Sequence, residues 1–378
     1  MSGEAPPRLT VVGNPDNRRV HLFLAAATAI HCPPPRVVPW RDVVAGRPVD
    51  VAPGSLVRID SPGEDAEVER ALRRAERPAE PGEIVGLSAW YDGFAAALHR
   101  VAATARSAGA DLLADPADLL VLFDKRTCHA RLTMAGVPVP PGLPGAVASY
   151  EELRSSLATH GWGRVFVKPA HGSSASGVVA LQFASGRVVA TTSVELVRAG
   201  GRVRIYNSLR VRRYRDERDV ATIVDTLVPD GLHVERWFPK AGLAGRVIDL
   251  RVLVVAGRPT HVVVRSSRTP MTNLHLGGQR GALDAVRSAA GEAHYAEALR
   301  TCVRVAALFP GCLHVGVDLM FSSDWRRHAV AEVNAFGDLL PGLLADGRDP
   351  YAEQIHAVAT GRFAAWRASE SAPAEAAA

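Results

Sequence analysis

Residues 9–108 alternate short apolar runs with segments of helical spacing, and this alternation limits the fold of the chain more than any other feature. Leu9–Val12, Arg36–Val38, Ser55–Ile59 and Glu83–Leu87 predict strands, while Val20–Ile30, Glu64–Arg77 and Gly93–Ala108 predict helices. Strands separated by helices form open, mostly parallel sheets with helices on their faces. Such sheets bind ligands at strand ends, so the loops Gly13–Asp16 and Asp60–Gly63 and the Trp90-Tyr91-Asp92 step are candidate contacts, with ordinary turn chemistry as the alternative. The pair Arg18-Arg19 before an apolar stretch imitates a secretion signal. The strand ahead of it and the histidine within it favour a strand, a turn and a helix instead.

Beyond residue 115 the pattern changes. Asp115–Arg131 predicts a helix, and Gly136-Val-Pro-Val-Pro-Pro-Gly142 forces an extended crossing, because proline lacks an amide donor and restricts its predecessor. A domain boundary belongs there or slightly before. Tyr150–His160 and Asp216–Leu227 predict helices. Arg164–Pro169, Val178–Phe183, Val188–Val197 and Val203–Val211 predict a small antiparallel sheet. A further strand series follows at His233–Phe238, Arg251–Val255 and His261–Arg265. A long helical pattern, Gly281–Leu308, then precedes strands His314–Phe321 and His328–Val333. No repeat is visible. At 378 residues, 47% hydrophobic and 22% charged, the chain suits two or three packed units and excludes a disordered or fibrous one.

Composition sharpens the functional reading at one point. Of 44 basic residues only Lys125, Lys168 and Lys240 are lysines; the rest are arginines. A chain that uses arginine almost everywhere retains lysine where a compact point charge serves better than a planar fork, as against a phosphate chain. The arginines are scattered among acids, which argues against a nucleic-acid-binding face. Cys32, Cys128, Cys302 and Cys312 have no CxxC spacing, and no apolar run approaches membrane-helix length. The expectation is a soluble, cytoplasmic protein without nucleic-acid or membrane partners.

Three constellations carry chemistry. Val167-Lys168-Pro169 leads into His171-Gly-Ser-Ser-Ala-Ser-Gly177 and a second strand. Small residues let amides wrap phosphate oxygens, or simply make a flexible hairpin. No Walker A pattern is present. Asp318, Glu332 and Asn334 form an all-oxygen set at strand ends that suits Mg²⁺ with a companion phosphate, or a solvated rim. Between them, Asp249-Leu-Arg251, Arg265 and Thr272–Gly278 offer guanidiniums for phosphoryl oxygens or a carboxylate, or a plain surface ion pair.

Taken in order from Asp124 to Leu343, these motifs resemble the ATP-grasp superfamily, and within it the ribosomal-S6-modification-type (RimK-like) carboxylate–amine ligases. Asp124-Lys125 with the 136–140 crossing resembles the first phosphate lysine; Lys168 with His171, Gly172, Ser173, Ser174 and Gly177 resembles the second lysine and the glycine-rich loop. Val234-Glu235-Arg236-Trp237-Phe238 is similar to the hinge strand whose backbone binds adenine, with Lys240 near ribose or phosphate. Asp249-Leu-Arg251 matches the D-x-R strand. Arg265, Asn273 and Gly277-Gly278 match the segment facing the transferred phosphate, and Asp318, Glu332 and Asn334 match the magnesium ligands.

The resemblance implies an α/β fold in which two sheet-containing subdomains clasp ATP. An N-terminal α/β domain (1–118) precedes a lid (119–238) and a large subdomain (239–367), and residues 368–378 form a tail. It implies ATP and Mg²⁺, or Mn²⁺ in its place, and small-molecule or peptide carboxylate and amine substrates joined through an acyl phosphate. Arg251, Arg265 and Asn273 would be catalytic. The alternatives are a nucleotide-binding regulatory module or a phosphotransferase. Arg58, Asp60, Trp90, Tyr91 and the Arg210–Arg215 run are acceptor candidates. Three features depart from the family: Ala335-Phe-Gly-Asp-Leu-Leu-Pro-Gly342 after Asn334, the stiff Trp237–Pro239 hinge, and the arginine-dense Arg202–Arg215. That last run is either a solvated sheet face or a docking surface for an acidic peptide.

Overall fold

Three sheets divide the work of the chain. The computed structural model describes residues 6–184, 186–336 and 340–371; Gly337–Leu339 and the end of the expected tail lie outside them. The first sheet holds β1 (Leu9–Gly13), β2 (Arg36–Pro39), β3 (Leu56–Ile59) and β4 (Asp111–Leu112), all parallel, in the order β2-β1-β3-β4. Every residue of β1 is buried, as a strand covered on both faces requires. The helices around this sheet are α1 (Arg18–Ala29), α2 (Trp40–Val44), α3 (Ala66–Leu72) and α4 (Leu87–Ser107).

The expected strand at Glu83–Leu87 does not form. Glu83 makes one bridge to Tyr206, and Leu87 opens α4. The fourth strand comes from Asp111–Leu112, beyond that helix. The predicted helix Glu64–Arg77 is shorter, capped by Asp65 and ended before Arg74, which has positive φ.

The predicted helix at Asp115–Arg131 is two helices, α5 (Pro116–Phe123) and α6 (Lys125–Met134). Asp124 ends the first and caps the second, accepting from the amides of Arg126 and Thr127. That break puts Lys125 at a helix N-terminus. Helix α7 (Tyr150–Thr159) leads into a second, antiparallel sheet: β5 (Arg164–Pro169), β6 (Val179–Ala184), β7 (Arg187–Ala199), β8 (Arg202–Tyr214) and, after α8 (Glu217–Leu227), β9 (Leu232–Arg236). Its order is β8-β7-β6-β5-β9. Val165, Val167, Val179 and Leu181 pack on Leu153, Leu157, Ile223 and Val224, so one face is covered by α7 and α8 and the other is left for a ligand.

The third sheet is antiparallel: β10 (Gly242–Leu243), β11 (Arg246–Val255), β12 (Arg258–Ser267), β13 (Gln279–Gly281), β14 (His314–Phe321) and β15 (His328–Asn334). Gly291, at φ 76°, splits the predicted 281–308 helix into α9 (Leu283–Ala290) and α10 (Glu292–Ala307). Helix α10 backs the sheet. Helices α11 (Pro350–Ala359) and α12 (Arg362–Ser371) close the described chain, and α11 packs on α1. One large apolar cluster joins the first and third sheets, whereas the second sheet keeps its own. Among the described residues, no helix is long and apolar enough to cross a membrane.

Candidate functional site

The open face of the second sheet and the third sheet enclose one cleft of about 660 Å³, and all three lysines of the chain line it. Each arrives from a different element: Lys125 from the start of α6, Lys168 from β5, Lys240 from the segment after β9. Lys168 Nζ lies 2.6 Å from Glu235 and reaches across to the Ala331 carbonyl at 3.4 Å. Lys125 Nζ pairs with Glu332 at 2.9 Å and donates to the Gly172 carbonyl at 2.5 Å. Lys240 Nζ is 2.9 Å from Asp249.

The third sheet contributes a lattice of opposite charges. Asp318 and Glu332 face each other directly across β14 and β15, and Asp318 is also the cross-strand partner of Arg251 on β11. A bulge leaves Ala331 unpaired beside them, and its carbonyl is the one that Lys168 contacts. Arg251 binds Asp318 through two nitrogens, and Arg265 bridges Asp249 at 2.8 Å and Asp318 at 3.1 Å. Thr272 donates its hydroxyl to Asp249. Asp249 and Arg251 are therefore not the surface pair that sequence left open: both are buried, and each is paired elsewhere.

Burial disfavours charge, so these groups stay ionised only because they face one another. Burial would raise the Glu235 carboxyl, but Lys168 and His233 outweigh it and hold it at about 2. Asp249 is likewise held well below the usual carboxylate range against its burial by Arg265 and Lys240. Glu332 is lowered, against its burial, by Lys125 and Lys168. Lys168 is raised despite burial by Glu235 and Glu332. Among the described residues, Lys125, Lys168, Lys240, Arg251 and Arg265 interleave with Glu235, Asp249, Asp318 and Glu332, and the cleft presents its three ammonium groups to an anionic ligand.

The glycine-rich loop splits by role. Gly172, Ser173, Ala175 and Ser176 line the cleft, whereas His171, Ser174 and Gly177 form its frame. His171 is buried and stacks on Tyr91 of α4, with centroids 4.0 Å apart. The Ser174 carbonyl bonds to His275 Nε2 across the cleft at 3.0 Å. Gly177 turns the chain at φ 71°, where a Cβ would lie 2.6 Å from Pro169 Cγ.

The hinge is narrower than expected. The amides of Arg236 and Trp237 are spent on the carbonyls of Pro141 and Arg164, so neither is free to bind a ligand. Trp237 packs against Phe166, and Phe166 and Met320 supply apolar walls; Trp237 and Phe238 do not line the cleft. Arg265 and Asn273 line it, while Arg251 stands behind Asp318. Asn334 does not line it and donates its amide to the Gly316 carbonyl at 3.2 Å, which fixes the orientation of its side chain.

For a hard divalent cation the residues present fit. Asp318 and Glu332 are adjacent, oxygen-only and in the same cleft as the three lysines, and magnesium is generally held by one or two carboxylates plus phosphate. Among the described residues, no group of three or more His, Cys, Asp or Glu side chains could hold a metal.

Among the residues that line the cleft and that sequence reading did not single out are Phe166, Pro270, Met271, Met320 and Ala331. Met320 was within reach, being two residues from Asp318 on one strand face; the bulge at Ala331 had no local signal. The acceptor candidates fare differently. Arg58 and Asp60 are buried and paired to each other, with Arg58 also bound to Gln354. Trp90-Tyr91-Asp92 lies within α4, not at a strand end; Trp90 stacks in the core on Phe94 and Phe123.

No protein-family model and no curated protein sequence matches the chain. Solved structures do match in shape. D-cycloserine synthetase DcsG aligns over 94% of this chain and 99% of its own at 16% identity, TM-score 0.57. Macrocyclase MdnC from Microcystis aeruginosa MRC, bound with precursor peptide MdnA, aligns over 93% and 99% at 12% identity, TM-score 0.52. ATP-grasp ligase PsnB, complexed with minimal precursor, Mg and ADP, aligns over 97% and 100% at 17% identity, TM-score 0.51. With two antiparallel sheets closing on a lysine- and carboxylate-lined cleft beside a parallel N-terminal sheet, this chain has the ATP-grasp fold.

Proposed function

We propose that the protein is an ATP-dependent ligase of the RimK-like type, joining a carboxylate to an amine. The single observation that carries this reading is the convergence of Lys125, Lys168, Lys240, Asp318 and Glu332 on one cleft. Their chemistry is that of a triphosphate site: ammonium groups for phosphate oxygens beside an adjacent pair of carboxylates for a divalent cation. The three-unit division near residues 118 and 238 belongs to the same reading, with the second sheet as lid.

In this mechanism Lys125 and Lys168 neutralise phosphate oxygens, and Gly172–Ser176 cover them and exclude water. Phe166 and Met320 hold the base. Asp318 and Glu332, with the Asn334 oxygen nearby, would hold Mg²⁺, which supplies charge neutralisation on the phosphates when bound. A substrate carboxylate oxygen attacks the γ-phosphorus, the bond to the β-bridging oxygen breaks, and ADP leaves. Arg265, buried and fixed by Asp249 and Asp318, faces the charge on the transferred group, and Asn273 orients it. An amine then attacks the acyl carbon, loses a proton and expels phosphate.

Hydroxylamine tests this without knowledge of the amine. Purified protein, Mg-ATP and a panel of amino acids and short peptides should give a hydroxamate and an equal amount of ADP for at least one carboxylate. Glu332→Gln, correctly folded by circular dichroism, should reduce that turnover by roughly a hundredfold or more. Tight nucleotide binding with no ADP for any carboxylate would instead identify a binding module. ADP formation without hydroxamate would point to a phosphotransferase. Full activity of Glu332→Gln would reject the metal assignment.

A further inference from the structure

The arginine-dense strand β8 is the edge of the second sheet, and it is interrupted at a telling place. Asn207 pairs with Val194 and Arg212 with Thr192, so four residues, Ser208–Val211, stand opposite Ser193 alone. The extra residues arch away from the ladder and carry Leu209 into solvent at 72% exposure. Ser193 itself donates to the Ala175 carbonyl of the glycine-rich loop, so the arch stands next to that loop.

Cross-strand register shows which way β8 faces. Glu235 pairs with Phe166, Phe166 with Ala180, Ala180 with Thr191 and Thr191 with Arg213. Directly opposed residues share a face, and Glu235 and Phe166 line the nucleotide cleft, so Arg213 projects on the cleft side of the sheet. Four strand spacings put it about 19 Å from Glu235, outside the phosphate site. Strand β8 also touches the Leu274–Leu276 turn, which begins immediately after Asn273.

Part of the arginine run is accounted for internally. Arg204 pairs with Glu80, and Arg212 with Glu195. The Gly82–Ile84 segment covers the edge at Ile205–Asn207. Beyond Asn207 the situation reverses. Among the described residues, the side chains of Arg210, Arg213 and Arg215 have no acidic or hydrogen-bonding partner, all three are exposed, and no other segment hydrogen-bonds to the outer edge of 208–214. An open strand edge bearing unpaired guanidiniums and one exposed leucine complements an extended, acidic chain.

We propose that Ser208–Arg215 is the docking surface for an acidic peptide substrate, which adds to the β8 edge and extends over the Leu274–Leu276 turn toward Asn273. The proposal rests on the ligase reading for the peptide's fate but not for its binding. The test is therefore anisotropy of a fluorescein-labelled Glu-Ser dodecapeptide on the full chain, with a Gln-Ser dodecapeptide and a uridine dodecanucleotide as comparisons. Glu-Ser should bind, Gln-Ser should not, and affinity should fall as salt rises. Arg210→Glu/Arg213→Glu should weaken Glu-Ser binding by about tenfold or more, while leaving nucleotide affinity and melting temperature at the wild-type values. Arg210→Gln/Arg213→Gln, the milder pair, should fall between and guards against misfolding of the first.

Absence of Glu-Ser binding, equal binding by the charge-reversal variant, or tighter binding of the nucleic acid than of the peptide would each overturn the proposal. The first would leave these arginines as charges that protect an open edge. None of these results would touch hydroxamate formation with some other carboxylate, so the two readings fail separately.

Discussion

At the residue scale, the buried pair Lys168–Glu235 shows how opposite charges keep each other ionised inside the cleft. Each charge is held in a dry setting by the other, and the arrangement carries a pH consequence. The Glu235 carboxyl sits at about 2 in the folded chain, below the ordinary range near 4.5, so its contribution is present above about pH 4.5 and is lost as pH falls toward 2. Glu235→Gln, which strands Lys168, should cost about 3 kcal/mol at pH 7 by urea denaturation. The difference from wild type should shrink as both are titrated from pH 5 to pH 3; a constant difference would contradict the pairing. The lysines were also the residues most legible in the sequence. An arginine-biased chain marks its three exceptions, and all three line one cleft. Arg58 and Asp60 show the opposite case, since nothing local distinguishes a buried ion pair from a ligand contact.

Elements are governed by where chains must approach one another. Gly93 is an interior residue of α4, and a Cβ there would lie 2.1 Å from the Leu72 carbonyl oxygen of α3. Helix propensity alone makes Gly93→Ala stabilising by about 1 kcal/mol. Overlap with backbone, which cannot swing aside, outweighs this and should leave the variant destabilised by roughly 1–3 kcal/mol in urea unfolding. A more stable Gly93→Ala would show that α3 shifts freely and that the crossing is loose. The same scale explains the errors of the sequence reading. Asp124 and Gly291 each sit inside an unbroken apolar period, so periodicity merges two helices, although capping chemistry at Asp124 was visible. The 83–87 run is apolar enough for a strand, yet it meets only the short stretch Ile205–Tyr206 of β8, far along the chain, before Leu87 opens α4.

For the molecule as a whole, the second sheet stands apart from the joint core of the first and third; Lys168–Ala331 and His275–Ser174 tie it to the third, and Lys125 of α6 bridges Glu332 and the Gly172 carbonyl. A nucleotide held between them adds to those ties. A non-hydrolysable ATP analogue with Mg²⁺ at about 100 times its Kd should stabilise the chain by about 2.7 kcal/mol. Amide exchange should slow in β5, β6 and β9 and in the loop 171–177, while β1 and β3 change little; uniform protection would argue against a clasp. What the sequence determined by itself was the inventory: alternating elements for a parallel sheet, antiparallel strands after the proline crossing, a glycine-rich loop behind Lys168, and paired carboxylates at Asp318 and Glu332. These are local properties, set by periodicity, turn residues and charge within a few positions. Only the tertiary structure decided the partners. Register brought Asp318 against both Glu332 and Arg251, a bulge turned the Ala331 carbonyl toward Lys168, and the interruption of β8 at Ser208–Val211 set Leu209 and Arg210 out from the sheet edge. Pairings between distant segments depend on strand order and close packing, which no window of sequence contains.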